Sequence, residues 1–162
     1  MARYRKIFAA LDGGATQEAV ARRTLSIAHD NNSEVLFGYV IDSSQFQTSG
    51  IGDSDLAEVK KEAIEKDLDR YFVRSRQDPE IPSVDFQVHV GRIADTLMND
   101  FIKPFNPDLV ICGVRGLSDI KYAFVGSVST HLVRHAECDV LVIRPEAIED
   151  IDYDEYESLG II

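Results

Sequence analysis

The residues best suited to chemistry lie in one stretch. It reads Gly113-Val114-Arg115-Gly116, then nine residues, then Gly126-Ser127-Val128-Ser129. The first glycine pair follows the apolar run Leu109–Cys112, which reads as a buried strand. Glycines at such a strand end let the backbone turn sharply and present N–H groups to a ligand with no side chain between. Gly126-Ser127 opens a segment with helical character, Ser127–His135. A helix start offers unpaired N–H donors and a partial positive charge, which favours an anion by roughly 0.3–1 kcal/mol. The hydroxyls of Ser127 and Ser129 add donors. The two halves form a phosphate cradle built without a P-loop lysine, because no GxxxxGK[ST] occurs in the chain.

Other reactive residues make weaker patterns. His131 and His135 stand four apart on one helix, yet no third ligand has a matching spacing, so a surface or capping role outweighs metal binding. Cys112 and Cys138 lie in apolar surroundings and read as packing thiols. Asp85 and His89 share a face of one strand without a nucleophile beside them. Arg115 and Lys121 fall inside the glycine loop, where each is equally suited to approach a phosphate or to remain an exposed cation.

The elements that position these residues alternate regularly. Ile7–Leu11 is a short buried strand stopped by Asp12-Gly13-Gly14. From Thr16 to Asn31, Val20, Ala21, Thr24, Leu25 and Ala28 share a helical face, with Asn31-Asn32 as the stop. Glu34–Ile41 is a second apolar strand, and the segment to Asp53 is a loop. One long helix is expected over Asp55 to Arg76, with Asp55 and Glu58 as a capping pair. Its apolar stripe would be Leu56, Val59, Ala63, Leu68, Tyr71 and Phe72. Val84–Val90 alternates as a half-exposed edge strand does. Ile93, Leu97 and Phe101 mark a third helix closed by Pro104 and Pro107, and Val140–Ile143 is a fifth strand. Strands joined through helices of this length must be parallel, so the fold expected is α/β, an open doubly wound five-stranded sheet.

Composition narrows the function. The chain has 162 residues, a length for one domain, with 17 Lys and Arg against 28 Asp and Glu for a net charge of −11. Seven of the acids fall after Pro145, where no Lys or Arg occurs, so residues 1–145 carry a net charge of −4. That body, with its bases scattered, argues against nucleic-acid binding. The division expected is a nucleotide-binding domain over 1–145 and an acidic tail over 146–162. Two cysteines and no long apolar run point to a reduced, cytoplasmic protein without a membrane span.

The spacing Gly113-x2-Gly116-x9-Gly126-Ser127 resembles the nucleotide motif G-2x-G-9x-G-[ST] of the universal stress protein (UspA-like) family. The resemblance extends over residues 3 to 145, through KIFAALD, GYVID, Gly91, DLVICG and HAECDVLVIRP. It implies strand order 3-2-1-4-5, homodimers, and membership of the ATP-binding subclass. By the same resemblance Leu11 and Asp12 would lie beside the ribose or metal-linked phosphates, and Val40 would meet adenine through its backbone. Cys112 would pack under the base, where the family commonly has Met. Gly113 and Gly116 would line ribose and phosphates, with the loop cation Arg115 counted beside them from its position alone, while Gly126, Ser127, Val128 and Ser129 would hold the phosphate end. Mg²⁺ would be carried mainly by phosphate oxygens, with Asp12 the candidate protein ligand. Gly13-Gly14 stands where the family often has a Ser.

The function expected is a nucleotide-dependent regulatory or sensing module with at most slow ATPase activity. The alternatives are an ATP-using nucleotidyl transferase or pyrophosphatase-like enzyme and a nucleotide-free UspA-type dimer. The apolar edge Val140–Ile143 would pair with its copy across a two-fold axis.

Overall fold

The computed structural model describes residues 3–14, 16–45, 52–114 and 127–144. Five parallel strands form one sheet in the order β3-β2-β1-β4-β5. They are β1 (Lys6–Leu11), β2 (Glu34–Asp42), β3 (Ser83–Gly91), β4 (Leu109–Gly113) and β5 (Asp139–Ile143). The strand order is the one expected, with β3 and β5 at the two edges.

Alternation along β1 sends its side chains into two cores. Ile7, Ala9 and Leu11 face α1 (Gln17–Asn31), α2 (Asp53–Asp67) and α3 (Asp69–Gln77), and pack with Val20, Leu25, Phe37, Ile64 and Phe72. Phe8 and Ala10 face the opposite layer, with Leu36, Val40, Leu97, Phe101, Val110, Cys112 and Leu132. That layer holds α4 (Ile93–Thr96), a π-helical turn (Leu97–Ile102), α5 (Lys103–Phe105) and α6 (Ser127–His135). In α1 the whole expected face is buried, and Asn32 closes the helix in the left-handed region at φ 55° with its N–H on the Ala28 carbonyl.

Two helices depart from expectation. The long helix starts at Asp53, so Asp55 and Glu58 lie inside it rather than at its cap. It also breaks at Leu68 (φ −108°, ψ 15°) into α2 and α3. The break keeps its hydrogen bonds. Leu68 donates to Ile64, while its carbonyl accepts from Tyr71 and Phe72. The bend lets both halves follow one twisted sheet face, and Ile64 replaces Val59 and Ala63 in the buried stripe. Val59 is 65% exposed.

The third helix runs through Pro104 instead of closing at it. Pro104 has no N–H and its ring crowds the carbonyl four residues back. The chain answers with the π turn, and the Lys103 N–H reaches the Met98 carbonyl five residues away. Asn106, at φ 53°, then ends the helix with its N–H on Ile102.

The expected tail over 146–162 lies outside the described residues. Among the described residues no helix is long and apolar enough to cross a membrane.

Candidate functional site

The central strand stops short of its neighbour β2. β1 pairs with β2 only as far as Leu11↔Tyr39, whereas β2 runs on beside β3 to Asp42↔Gly91. On the other side, β1 and β4 stop pairing at Ala9↔Ile111, and Cys112 and Gly113 pair with β5. A notch therefore opens where β1 and β4 part, beside the longer β2, at the point where the winding of the sheet reverses. Open α/β sheets hold ligands at such a point.

A cavity of about 520 Å³ fills the notch. Its floor is apolar, from Ala10, Val40, Leu97 and Cys112, with the buried Ser129 beside them, and its rim carries Asp12, Asp42, Lys60 and Ser127. An apolar slot with a few convergent polar groups is the usual make-up of a small-molecule site, and the volume lies in the usual range of about 300–1,000 Å³. Of the residues expected from sequence, Leu11, Asp12, Val40, Cys112, Gly113, Ser127, Val128 and Ser129 all line it. Arg115, Gly116, Lys121 and Gly126 lie outside the described residues.

Asp12 is exposed at the end of β1 and organises the turn that follows. One carboxylate oxygen accepts the Gly14 N–H at 2.8 Å, and the other faces the Thr16 hydroxyl at 3.4 Å. Gly13 adopts φ +72°, which an L side chain rarely tolerates, and its N–H reaches Gln17 Oε1 at 2.9 Å. Gly13 thus has a backbone reason to be glycine.

Two expected ligand groups turn out to hold the scaffold. Gly113 is the last residue of β4, and a Cβ there would run into the Oγ1 and Cβ of Thr16 at the start of α1. Its missing side chain therefore makes room for α1, whatever its N–H does. Ser129 is buried, and its hydroxyl donates to the Gly113 carbonyl at 2.9 Å, tying α6 to β4. Ser127, by contrast, is exposed at the helix start, with its side chain on the cavity rim.

The cysteines are free, and burial pushes both thiols up from their ordinary range. Cys112 Sγ lies 3.8 Å from Ser129 Oγ. Cys138 precedes Asp139, which pairs with Leu109, while Cys112 pairs with Val142. That register puts the thiols about 13 Å apart along the strands, too far for a disulfide.

The weaker candidates stay apart. His131 and His135 have ring centroids 4.3 Å apart, but no group of three His, Cys, Asp or Glu suited to a metal exists among the described residues. His89 packs edge-on against Phe101 with Asp100 at 4.0 Å, whereas Asp85 accepts the Phe86 N–H and the Gln87 amide.

Sequence reasoning missed Tyr39, Asp42, Leu56, Lys60, Ile93 and Leu97 as cavity lining. A signal existed for part of this set. Tyr39 and Asp42 flank Val40 at the end of the apolar strand, whereas nothing in the sequence ties Leu56 and Lys60 to that end. Asp42 accepts both the N–H and the hydroxyl of Ser44, and these bonds hold its carboxyl below the usual range.

Comparison with known proteins agrees with this architecture. A universal stress protein of Staphylococcus aureus strain USA300 is 30% identical over 148 residues, 91% of this chain and 89% of that protein. The structure of universal stress protein UspA from Lactobacillus plantarum is 28% identical with a TM-score of 0.70, covering 89% of this chain and all of that one. A universal stress protein solved in complex with cAMP shares the fold at 20% identity and a TM-score of 0.61, covering 88% of this chain and 98% of that one. The model of the universal stress protein family matches residues 3–144, and the chain belongs to that family.

Proposed function

We propose that this chain is an ATP-binding universal stress protein, a regulatory module whose state is set by nucleotide. The observation that carries the reading is the notch above β1. It has an apolar slot at one side and the start of α6 at the other, at the residues of the glycine-spaced motif. The base would lie between Val40, Leu97 and Cys112, with the overrunning backbone of β2 beside it. Asp12 would face the ribose or a phosphate-bound Mg²⁺. Ser127 and the first N–H groups of α6, with Gly113 and the sequence neighbours Arg115, Gly116 and Gly126, would hold the phosphates. The donor set fits that group, since the one carboxylate at the β1 turn keeps lone pairs for a hydrated cation while phosphate oxygens supply most ligands. That another family member was solved in complex with cAMP supports an adenine nucleotide as the kind of ligand.

Catalysis is not the reading favoured. Asp12 is engaged by Gly14 and Thr16, and no histidine lines the cavity among the described residues, so hydrolysis would be slow. The apolar edge strand β5 would pair with a second copy.

The test starts with the purified protein. It is denatured, the supernatant is chromatographed for nucleotide, and the same is done for Gly126→Val. ATP released by the wild type and missing from the variant supports the reading. No nucleotide from either, with no binding of added Mg·ATP, defeats it in favour of a nucleotide-free dimer. Multiple turnovers with an acceptor would favour a transferase, and light scattering showing only monomer would remove the dimer.

A further inference from the structure

We infer that Lys60 of α2 is the charge-selecting residue of the cavity, making it a site for a phosphorylated nucleotide in preference to a neutral nucleoside. The inference rests on the nucleotide reading above and assigns a residue outside the glycine-spaced motif.

Three observations lead to it. First, the charged groups on the cavity lining are Asp12, Asp42 and Lys60 among the described residues, so without Lys60 that lining carries only negative charge. A bare nucleotide brings more. Second, the Lys60 ammonium is stationed 5.3 Å over the centroid of the Tyr39 ring, and no carboxylate lies within ion-pair distance of it among the described residues. A half-buried cation held on an aromatic face, rather than on an acid, keeps its charge available to a ligand. Third, the same Tyr39 ring borders the Asp12–Gly14 turn, where a Cβ on Gly13 would lie 3.4 Å from Tyr39 Cε2. Tyr39 therefore bridges from the Lys60 ammonium to the turn at the end of β1. An anionic group near that turn meets the repulsion of Asp12 and Asp42 on one side and the attraction of Lys60 on the other.

The chemistry of lysine suits this role. Its ammonium is a compact point charge on a flexible stem, able to follow a phosphate chain rather than demand one planar geometry.

The test is a titration of wild type, Lys60→Gln and Lys60→Arg with Mg·ATP, AMP and adenosine, read as Kd. A thermal melt checks that each variant is folded. Lys60→Gln is expected to weaken ATP about tenfold, the low end for a charge-assisted contact, while adenosine changes less than about twofold. Lys60→Arg should restore most of the ATP affinity. Added salt should weaken ATP binding more in wild type than in Lys60→Gln. Equal losses for ATP and adenosine, or no loss for either, overturn the assignment of Lys60 and leave the nucleotide reading standing. Wild-type protein that binds none of the three overturns the nucleotide reading itself.

Discussion

Substituting Gly113 by Ala tests whether this glycine serves the scaffold. The new methyl would sit 3.0 Å from Thr16 Cβ and closer still to its hydroxyl, with Val20 Cγ2 at 3.6 Å. Carbon atoms settle at about 3.5–4.0 Å, so one element must move by several tenths of an ångström. Neither moves freely. Thr16 is 1% exposed, and the Gly113 carbonyl is held by Ser129. Overpacking of this kind costs about 1–3 kcal/mol, and removing a glycine from the unfolded chain returns about 0.4–1 kcal/mol. The net loss is about 1–2 kcal/mol, or about 2–8 °C in Tm for a chain of this size. Urea melts of Gly113→Ala, Thr16→Ala and the double variant measure it. Removing the Thr16 hydroxyl and methyl clears most of the obstacle, so the double variant should lose about 1 kcal/mol less than the sum of the singles. A Gly113→Ala protein of unchanged stability that has lost nucleotide would refute the packing argument. Strict additivity with Thr16→Ala would refute it too.

Three further outcomes are expected. Thr24 Oγ1 is buried on α1 with no hydrogen-bond partner among the described residues, so Thr24→Val should stabilise by about 1 kcal/mol in urea melts, and a loss of stability would show that the hydroxyl is satisfied. Ser129→Ala should cost about 1–2 kcal/mol by leaving the Gly113 carbonyl without its donor, and should weaken ligand binding only as far as α6 shifts; a neutral melt would count against the tie. His29 Nδ1 lies 2.7 Å from Asp78, and that hydrogen bond raises the histidine above its ordinary value of 6.5. Because the folded value lies above the unfolded one, this contribution is fully present below about pH 6.5 and is lost as pH rises through the folded value. The stability difference between wild type and His29→Gln should shrink over that rise, and a difference independent of pH would sink the assignment.

Much of the layering was legible because apolar runs and one-sided helices carry a period. The runs at Ile7–Leu11 and Glu34–Ile41 lie within observed strands, and the face from Val20 to Ala28 is buried throughout. The break at Leu68 was not legible, because Val59 and Ala63 fit the stripe as well as Ile64 does until the sheet's twist chooses between them. Nor was the π turn, since Pro104 reads as a terminator unless the preceding turn widens. The site divides similarly. Residues at β-strand ends were found through motif spacing, but the notch depends on β1 being outrun by β2 and parting from β4 after Ala9↔Ile111, a matter of pairing between distant segments. Lys60 was missed because α2 reaches the cavity only through tertiary packing. Gly113 and Ser129 were found for their donors, whereas their structural service depends on Thr16 and on each other.

The central place of β1 also governs the order in which the sheet can be completed during synthesis. Its partner on one side, β2, follows directly after α1 at Glu34, but its partner on the other, β4, begins only at Leu109. At a ribosomal speed of about 5–20 residues per second, the Ile7–Ala9 edge waits about 5–20 s for that partner. A nascent chain with three strands assembled thus exposes an unpaired apolar edge at what will become the middle of the molecule. Chaperone capture or pairing with a neighbouring chain would compete for that edge until β4 emerges, so the first strand made is among the last to be sealed.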